Sequence, residues 1–368
     1  MPKVGILTFH YGYNYGGVLQ AYALQQFLLS KGFEVEIINY IPQTYKISLL
    51  YGASKRNILA SLLKIIANLL NQRKSKEKFD QFRNENLHLT RQIVTISDLQ
   101  IVSGNFDAII VGSDQIWNPW QHDKKVYFLD YDLPKGIKKI SYAPCCAINN
   151  IVEKNKKSLR KSLLDFTDIS VRNTVTQDFV YTLIHKSCKI VLDPTYLWSF
   201  NELIEQDYIK EKYILTYIIG KDLNNDNNAA IKKIKNLYGN LPIYAIIIGA
   251  VAGVISVKWA DKVVYDASPK DWLNYINNAE LLFTDSFHGV VFAMKFRTKF
   301  IGYYSEELRA SRFIDMKERY QLDDFIVNSL GQIKYIDDNQ YLNKMYTVDQ
   351  LNNLLLEESI NFLTSSLH

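Results

Sequence analysis

The amino-acid sequence predicts an α/β protein in which two doubly wound domains face a cleft. Short apolar runs rich in β-branched residues alternate with helical segments, a pattern typical of parallel sheets that are covered on both faces. The alternation stops at Asp193-Pro194 and begins again at Tyr213. A chain of 368 residues is long enough to bury two cores of this kind.

Six apolar runs predict the strands of the first domain, which we place at residues 1–205. The first helix is expected to open after the segment Tyr13–Gly17, and a charged helical connector is predicted for Ser199–Lys212. The predicted strands are Val4–Phe9, Val35–Tyr40, Ala108–Gly112, Ile140–Ala143, Ile169–Arg172 and Ile190–Leu192.

Five further runs predict a second sheet within residues 206–345. Ser268-Pro269 supplies an N-cap and a first-turn proline for a helix in this half. Residues 346–368 are expected to form a terminal helix capped at Thr347. The predicted strands are Tyr213–Ile219, Ile243–Ile248, Val263–Tyr265, Leu281–Thr284 and Phe300–Tyr303.

Residues 41–98 interrupt the alternation and predict a mainly helical insertion. Apolar residues recur at helical spacing from Ile58 to Leu70, with basic residues around them. The favoured interpretation is a helical hairpin that packs on the first domain with a solvated basic end. The alternative is an interfacial helix that contacts an anionic membrane through residues 55–78. The basic residues are Lys55, Arg56, Lys64, Arg73, Lys74, Lys76 and Lys78.

Composition restricts the compartment and the partners. A net charge of +5 suits an anionic substrate or membrane surface and gives no reason to expect nucleic acid. Cys145, Cys146 and Cys188 include no CxxC pair, which predicts a reducing compartment and no cysteine zinc site. No metal-ligand spacing is present, and no cofactor is expected. The location expected is cytoplasmic or peripheral to the inner face of the membrane.

Two strand-end loops in the first half carry candidate substrate-binding residues. Glycines in the loop His10–Gly17 allow a ligand to approach the backbone, which makes Asn14, Gly16 and Gly17 candidates; a tight βα turn is an equal alternative. The loop that begins at Gly112 offers Asp114 as a base or sugar contact and Trp117 as a stacking surface. On composition, capping and core packing are favoured there. Its further candidates are Ser113 and Asn118.

Two later loops carry the candidate charged groups. Arg172 follows an apolar strand, and a guanidinium grips carboxylate or phosphate through two parallel hydrogen bonds; a structural ion pair is the alternative. The hexapeptide Thr284–Gly289 joins a strand to a helix start, where an anion can bind. Asp285 and Ser286 also suit a capping role, whereas His288 is an acid–base candidate. Gly289 completes this loop.

These loops, in this order, resemble the polysaccharide pyruvyl transferase family over nearly the whole chain. The matching segments are Gly5–Thr8, Asn14–Gln25, Asp107–Asn118, Ser141–Ala143, Ile169–Arg172, Leu192–Thr195 and Asn278–Gly289. No single block is diagnostic, but the ordered set is specific. The resemblance implies two Rossmann-like domains arranged as in GT-B enzymes.

The resemblance also implies a reaction. Members of this family transfer the pyruvyl group of phosphoenolpyruvate to a sugar as a ketal and release phosphate. It implies Arg172 and His288 as the donor-binding and catalytic pair. We expect Asp285 to orient the histidine, Asp114 to act as a base near the acceptor, and Arg312 to be a minor donor contact.

The chain departs from the family pattern at two places and leaves two other functions open. Asn173 stands where relatives often carry Glu, and Pro144-Cys145-Cys146 replaces small residues. A glycosyltransferase that uses a nucleotide sugar would share the architecture, and a non-catalytic glycan-binding protein would tolerate loss of His288. The acceptor is expected to be a sugar of a polysaccharide, either free or lipid-linked.

Overall fold

The computed structural model describes residues 2–42, 73–118, 123–147, 151, 153–206, 208–220, 222–248, 257–305 and 307–368. The predicted helical spacing from Ile58 to Leu70 and the basic residues Lys55, Arg56 and Lys64 lie outside these ranges. No helix in the described part of the chain is both long and apolar enough to cross a membrane.

The first sheet has six parallel strands in the order β2-β1-β3-β4-β5-β6. All six predicted runs are confirmed as strands, shifted by one to three residues. The strands are β1 (Lys3–Leu7), β2 (Glu34–Ile37), β3 (Ala108–Val111), β4 (Lys138–Ser141), β5 (Asp168–Val171) and β6 (Lys189–Ile190).

Six helices accompany this sheet in the described residues. They are α1 (Tyr15–Ser30), α2 (73–86), α3 (Ile96–Ser103), α4 (Lys124–Tyr127), α5 (Glu153–Leu164) and α6 (Thr174–Ile184). Residues 87–95 of the predicted insertion are not helical, because they run beside β2 and its extension through the bridges Ile37–Leu89 and Tyr40–Ile93.

The second sheet is also parallel, in the order β12-β11-β10-β7-β8-β9. The five predicted runs are again strands, and the two-residue strand β12 was not predicted. The strands are β7 (Ile214–Tyr217), β8 (Ile243–Ile246), β9 (Lys262–Val264), β10 (Leu281–Thr284), β11 (Lys299–Tyr303) and β12 (Ile326–Val327).

Within the residues that the structure describes, five α-helices follow β7. They are α7 (Asn227–Leu237), α8 (Pro269–Asn277), α9 (Phe287–Phe296), α10 (Glu307–Tyr320) and α11 (Asp338–Leu367). The predicted start of α8 is confirmed, since Ser268 accepts from the Asp271 N–H in a capping box. The predicted cap at Thr347 is wrong, because the N-cap of α11 is Asp337, ten residues after the last residue of β12.

The connector between the two sheets is not the predicted helix Ser199–Lys212. It contains short 3₁₀ turns at Pro194–Tyr196 and Asn201–Leu203, with Phe200 left-handed at φ 65°. The Glu205 N–H donates 2.7 Å to the side chain of Asn274 in α8. The hydrogen bond of the Glu205 N–H is therefore made to the second unit and not to a carbonyl within a helix.

Helix α11 and an aromatic stack tie the two units together. Ser359 of α11 accepts from the Leu192 N–H at 2.9 Å in the first unit, whereas Tyr341 of the same helix donates to Thr298 in the second. At the start of α1, the Tyr15 ring lies parallel to Trp272 of α8, with centroids 5.2 Å apart. These contacts hold the N-terminus of α1 against the second unit.

The strand orders place both sets of candidate loops at topological switch points. In the first sheet β1 and β3 are neighbours and the chain leaves them in opposite directions; in the second sheet β7 and β10 have this relation. Ligands of open α/β sheets bind at such points, beyond the carboxyl ends of the strands. The fold therefore directs three candidate loops to the cleft. They are His10–Gly17 after β1, the loop that begins at Gly112 after β3, and Thr284–Gly289 after β10.

Candidate active site

The N-terminus of α1 forms one wall of the site. Asn14 is the N-cap and accepts from the Gly17 N–H at 3.3 Å. Gly16 lies directly against His288: a Cβ atom built on Gly16 would be 2.0 Å from His288 Nδ1. A glycine is therefore required where α1 of the first unit meets α9 of the second.

Arg172 enters the site from the end of β5. Its Nη1 donates to Asp193 Oδ2 at 2.7 Å, and its Nη2 is 3.7 Å from Asp114 Oδ1. The guanidinium carbon lies 4.7 Å from the ring centre of Phe287, a residue of the second unit. The next residue, Asn173, caps α6 and accepts from the Thr176 N–H, which fixes the backbone behind the arginine.

Asp193 is the hub of the site. Its Oδ1 accepts from the backbone N–H and hydroxyl of Thr195 at 3.1 and 2.8 Å, and its Oδ2 accepts from Arg172 and from Ser113 Oγ at 3.2 Å. The Nε2 of His288 is 3.6 Å from the same Oδ2. Burial opposes the charged form, but His288 and Arg172 outweigh it and hold the pKa of Asp193 well below its usual value.

Three buried N–H positions in this cluster have no hydrogen-bond partner. They are Nε and Nη2 of Arg172 and Nε2 of His288. An unsatisfied buried donor costs about 1–3 kcal/mol, and more when it is charged. Such donors are retained where a ligand supplies the missing acceptor. Because they converge from two units, the expected ligand is an anion held between them.

A small cavity lies beside this cluster, between the two units. Its volume is about 20 Å³, close to that of one water-sized site. We name it the anion cavity; its charged lining residues are Arg172, Asp193, Arg312, Asp315 and Arg319. The guanidinium of Arg312 lies 5.7 Å from the Phe287 ring. Three guanidinium groups therefore surround one cavity.

A larger cavity of about 210 Å³ lies at the first switch point, and we name it the first-loop cavity. His10 is locked in its wall, with Nδ1 3.1 Å from Thr8 O and Nε2 3.0 Å from Asn39 Oδ1. Burial lowers the pKa of His10, and both ring nitrogens are occupied by contacts within the wall. The lining residues are Phe9, His10, Tyr11, Gly12, Asn14, Gly17, Val18 and Asp114.

Asp114 connects the two cavities. It lines the first-loop cavity and its Oδ1 lies near Arg172 of the anion cavity. Its backbone is left-handed at φ 72°, and its carbonyl accepts from the Cys145 N–H at 2.8 Å. The carboxylate at this turn is the group for which we predicted the role of a base.

Asp285, Ser286 and Gly289 of the predicted loop Thr284–Gly289 form hydrogen bonds within the protein. Asp285 Oδ1 accepts from the Ile219 N–H at 2.7 Å and so joins the loops after β7 and β10. Ser286 caps α9 by accepting from the Gly289 N–H at 3.2 Å. The carboxylate beside the His288 ring is Asp193, a group we did not predict as its partner. Capping thus occupies the Ser286 hydroxyl and the Gly289 N–H.

For Trp117 the structure supports core packing, the interpretation favoured on composition, and contradicts the alternative of a sugar-stacking surface. The indole is 1% exposed, stacks on Phe128 at 5.0 Å and donates from Nε1 to the Tyr127 carbonyl at 3.0 Å. An apolar ring with its one donor satisfied belongs to the core. The N–H of Asn118 donates to the Gln115 carbonyl at 3.2 Å at the end of the same turn.

Sequence reasoning missed Asp193 and Arg319 as site residues. Asp193 was noted as the end of the first half and as part of the matching segment Leu192–Thr195, but not as a site residue, although it is also a strand-end acid. Arg319 lies seven residues after Arg312 on α10, a spacing that puts both on one helix face. In the described part of the chain, no group of three His, Cys, Asp or Glu side chains could hold a metal ion.

The comparison with known families settles the relationship. A sequence model of polysaccharide pyruvyl transferases matches residues 14–307. The chain belongs to the polysaccharide pyruvyl transferase family. This is a family of transferases, and the matched range includes every candidate site residue except Arg312, which lies in α10. No curated protein sequence matches the chain significantly.

Solved structures share the architecture at low identity. The UDP-GlcNAc 2-epimerase from Neisseria meningitidis bound to UDP-GlcNAc has a TM-score of 0.51 and 8% identity, covering 100% of this chain and 99% of that one. UGT89C1 of Arabidopsis thaliana has a TM-score of 0.51 and 13% identity, covering 100% and 98%. These likenesses confirm two Rossmann-like domains in a GT-B-like arrangement.

Proposed function

We propose that this member of the polysaccharide pyruvyl transferase family moves the pyruvyl group of phosphoenolpyruvate onto a sugar of a polysaccharide, or of its lipid-linked precursor, as a ketal. The observation that supports this most strongly is the convergence of Arg172 and His288 on Asp193, with buried donors of both residues still without acceptors. Phosphoenolpyruvate carries a carboxylate and a phosphate, and each needs fixed donors.

The donor fits the charges of the anion cavity. A guanidinium binds a planar carboxylate or a phosphate through two parallel N–H groups, and Arg172 has Nε and Nη2 available on one edge. Because the cavity has room for about one water, the donor would enter when the two units separate and be enclosed when they close. Closure also brings His288 against Gly16.

The proposed reaction balances without a cofactor. A proton adds to the methylene carbon of the enol and leaves an oxocarbenium-like centre, which one sugar hydroxyl attacks. The C–O bond to phosphate then breaks, and the second hydroxyl attacks to close the ketal. One of the two hydroxyl protons ends on the new methyl group and the other on the released phosphate.

The residues of the site can divide these roles. His288 would deliver the proton or stabilise the departing phosphate, with Asp193 as the negative charge beside its ring. Asp114 would accept a proton from the attacking hydroxyl, since it lines the first-loop cavity and lies near Arg172. The sugar would then occupy the first-loop cavity.

The location and the membrane contact remain proposals. Of the basic segment 55–78, Arg73 forms an ion pair with Glu77, and Lys78 lies 3.6 Å from Asp266 and 3.5 Å from Asp271. Lys78 therefore pairs with acids of the second unit. A membrane contact would have to use the other basic residues. We propose a cytoplasmic enzyme that reaches lipid-linked sugars at the membrane surface.

The test is release of inorganic phosphate from phosphoenolpyruvate in the presence of a panel of lipid-linked and nucleotide-linked sugars. The proposal predicts phosphate release that depends on one acceptor, and a product whose mass shows an added pyruvyl ketal. Release of a nucleotide from a nucleotide sugar, with no use of phosphoenolpyruvate, would instead identify a glycosyltransferase. Sugar binding without turnover would identify a glycan-binding protein.

A further inference from the structure

One face of α10 carries, besides the candidate donor contact Arg312, charged residues that no family motif in the chain accounts for. Arg312, Asp315, Met316 and Arg319 are spaced i, i+3, i+4 and i+7, and all four line the anion cavity. A helix brings this spacing to one side. The cavity therefore receives two guanidinium groups from α10, in addition to Arg172 from β5.

Arg319 is held by groups of both units. Its Nη2 donates to Asp315 Oδ2 at 2.7 Å, one helical turn back, and to the backbone carbonyl of Arg172 at 3.3 Å. Asp315 in turn lies near the first unit, where the Thr174 N–H donates to its Oδ1 at 3.4 Å. The side chains of Arg319 and Asp315 are only 18% and 13% exposed.

From this arrangement, and resting on the proposed function, we infer that Arg319 is a donor-binding residue for the second anionic group of the substrate and that Asp315 is its internal counter-ion. Phosphoenolpyruvate has two anionic groups, and Arg172 can grip only one of them bidentately. The carboxylate of Asp315 holds the guanidinium of Arg319 in the cavity and competes with an incoming phosphate for it.

Two variants separate this role from a purely structural one. Arg319→Ala removes the guanidinium, and we expect the Kd for inorganic phosphate and for phosphoenolpyruvate, measured by titration calorimetry on the whole chain, to rise about tenfold or more. Asp315→Asn keeps the size of the side chain and one acceptor oxygen, which can serve either Arg319 or the Thr174 N–H, and removes the negative charge. It should lower both dissociation constants several-fold, because an anion no longer faces a carboxylate.

The Asp315→Asn variant distinguishes a donor-binding role from a purely structural one. If Arg319 and Asp315 only join the two units, Asp315→Asn leaves anion affinity unchanged or weakens it, and either result overturns the inference. Arg297→Ala is the matched control, since Arg297 pairs with Asp349 at the surface of the same unit and both side chains are 40% exposed. We expect it to leave both dissociation constants within twofold of the parent.

The same titrations keep this inference distinct from the proposed function. If phosphate binds and responds to both variants as expected, but phosphoenolpyruvate is neither bound nor consumed, the α10 anion site stands and the donor assignment fails. If phosphoenolpyruvate is consumed normally by Arg319→Ala with unchanged KM, the α10 site fails and the proposed function stands.

Discussion

The anion cavity and the first-loop cavity are linked by the contact between Arg172 and Asp114 and are built in opposite ways. The anion cavity is about 20 Å³, is formed by both units and is lined by three arginines and two acids. The first-loop cavity is about 210 Å³, is formed by the first unit alone and has one acid, Asp114, in its lining. The anion cavity is therefore small and highly charged, whereas the first-loop cavity is roomy and carries little charge.

This difference indicates how the two substrates would be handled. A small, highly charged donor gains most from fixed cations in a dry enclosure, where electrostatic interactions are strong. A sugar needs shape and a few hydrogen bonds, so a roomy site in one unit suits it. Substitutions in the anion cavity should therefore affect donor use, and substitutions at its border should affect the acceptor step.

The largest effect is expected at Arg172 and His288, the two residues that converge on Asp193 beside the anion cavity. Arg172→Lys and His288→Gln keep side-chain bulk but remove the guanidinium fork and the acid–base group. We expect each to lower kcat/KM for phosphoenolpyruvate by about 10³-fold, because each removes a group that contacts the reacting donor. The measurement is acceptor-dependent phosphate release, with circular dichroism to show that the fold is kept. Near-parental turnover in both variants refutes the assignment of this pair.

A second, smaller effect should separate the two cavities. Asp114→Asn removes a proposed base while preserving the left-handed turn at φ 72°, which asparagine tolerates. We expect kcat to fall about 10²-fold, with little change in the dissociation constant of phosphoenolpyruvate. A change confined to donor affinity would move Asp114 from the acceptor step to the donor site.

The contact between Gly16 of the first unit and His288 of the second allows a third test of the two cavities. In Gly16→Ala the added methyl group would lie 2.0 Å from His288 Nδ1, so the ring must shift. We expect kcat to fall roughly tenfold to 10²-fold, as for a small displacement of a reacting group. Gly331→Ala is the control, because nothing lies within 4 Å of a Cβ there. Equal activity of both variants would show that closure on His288 is not required.

The sequence was sufficient for the architecture because buried parallel strands are continuous apolar runs. It placed eleven strands within a few residues and missed β12, since Ile326-Val327 is too short to give a periodic signal. It could not locate the start of α11 at Asp338, because that helix is stabilised partly by distant contacts such as Ser359 to Leu192. Such contacts are set by tertiary packing and leave no local pattern.

The sequence predicted the site residues that a local motif marks, but not those that join the site only when the two units come together. Arg172 and His288 stand out as unusual residues at strand ends, and the structure places both against one carboxylate. Asp193 and Arg319 become site residues only because the two units approach each other. No local sequence pattern encodes the orientation of those units. Trp117 belongs to a candidate loop but faces the core, as its composition favoured.

The smallest effect on activity is expected at Trp117, and it tests whether that loop serves the fold or the substrate. Trp117→Phe removes the Nε1 donation to Tyr127 and part of the stack on Phe128. The free energy of unfolding should fall by about 2 kcal/mol in urea titrations, with kcat and the acceptor KM unchanged. Because the ring is 1% exposed, a sugar cannot stack on it without unpacking the first core. A raised acceptor KM at unchanged stability would return Trp117 to the acceptor site and extend the first-loop cavity past Asp114.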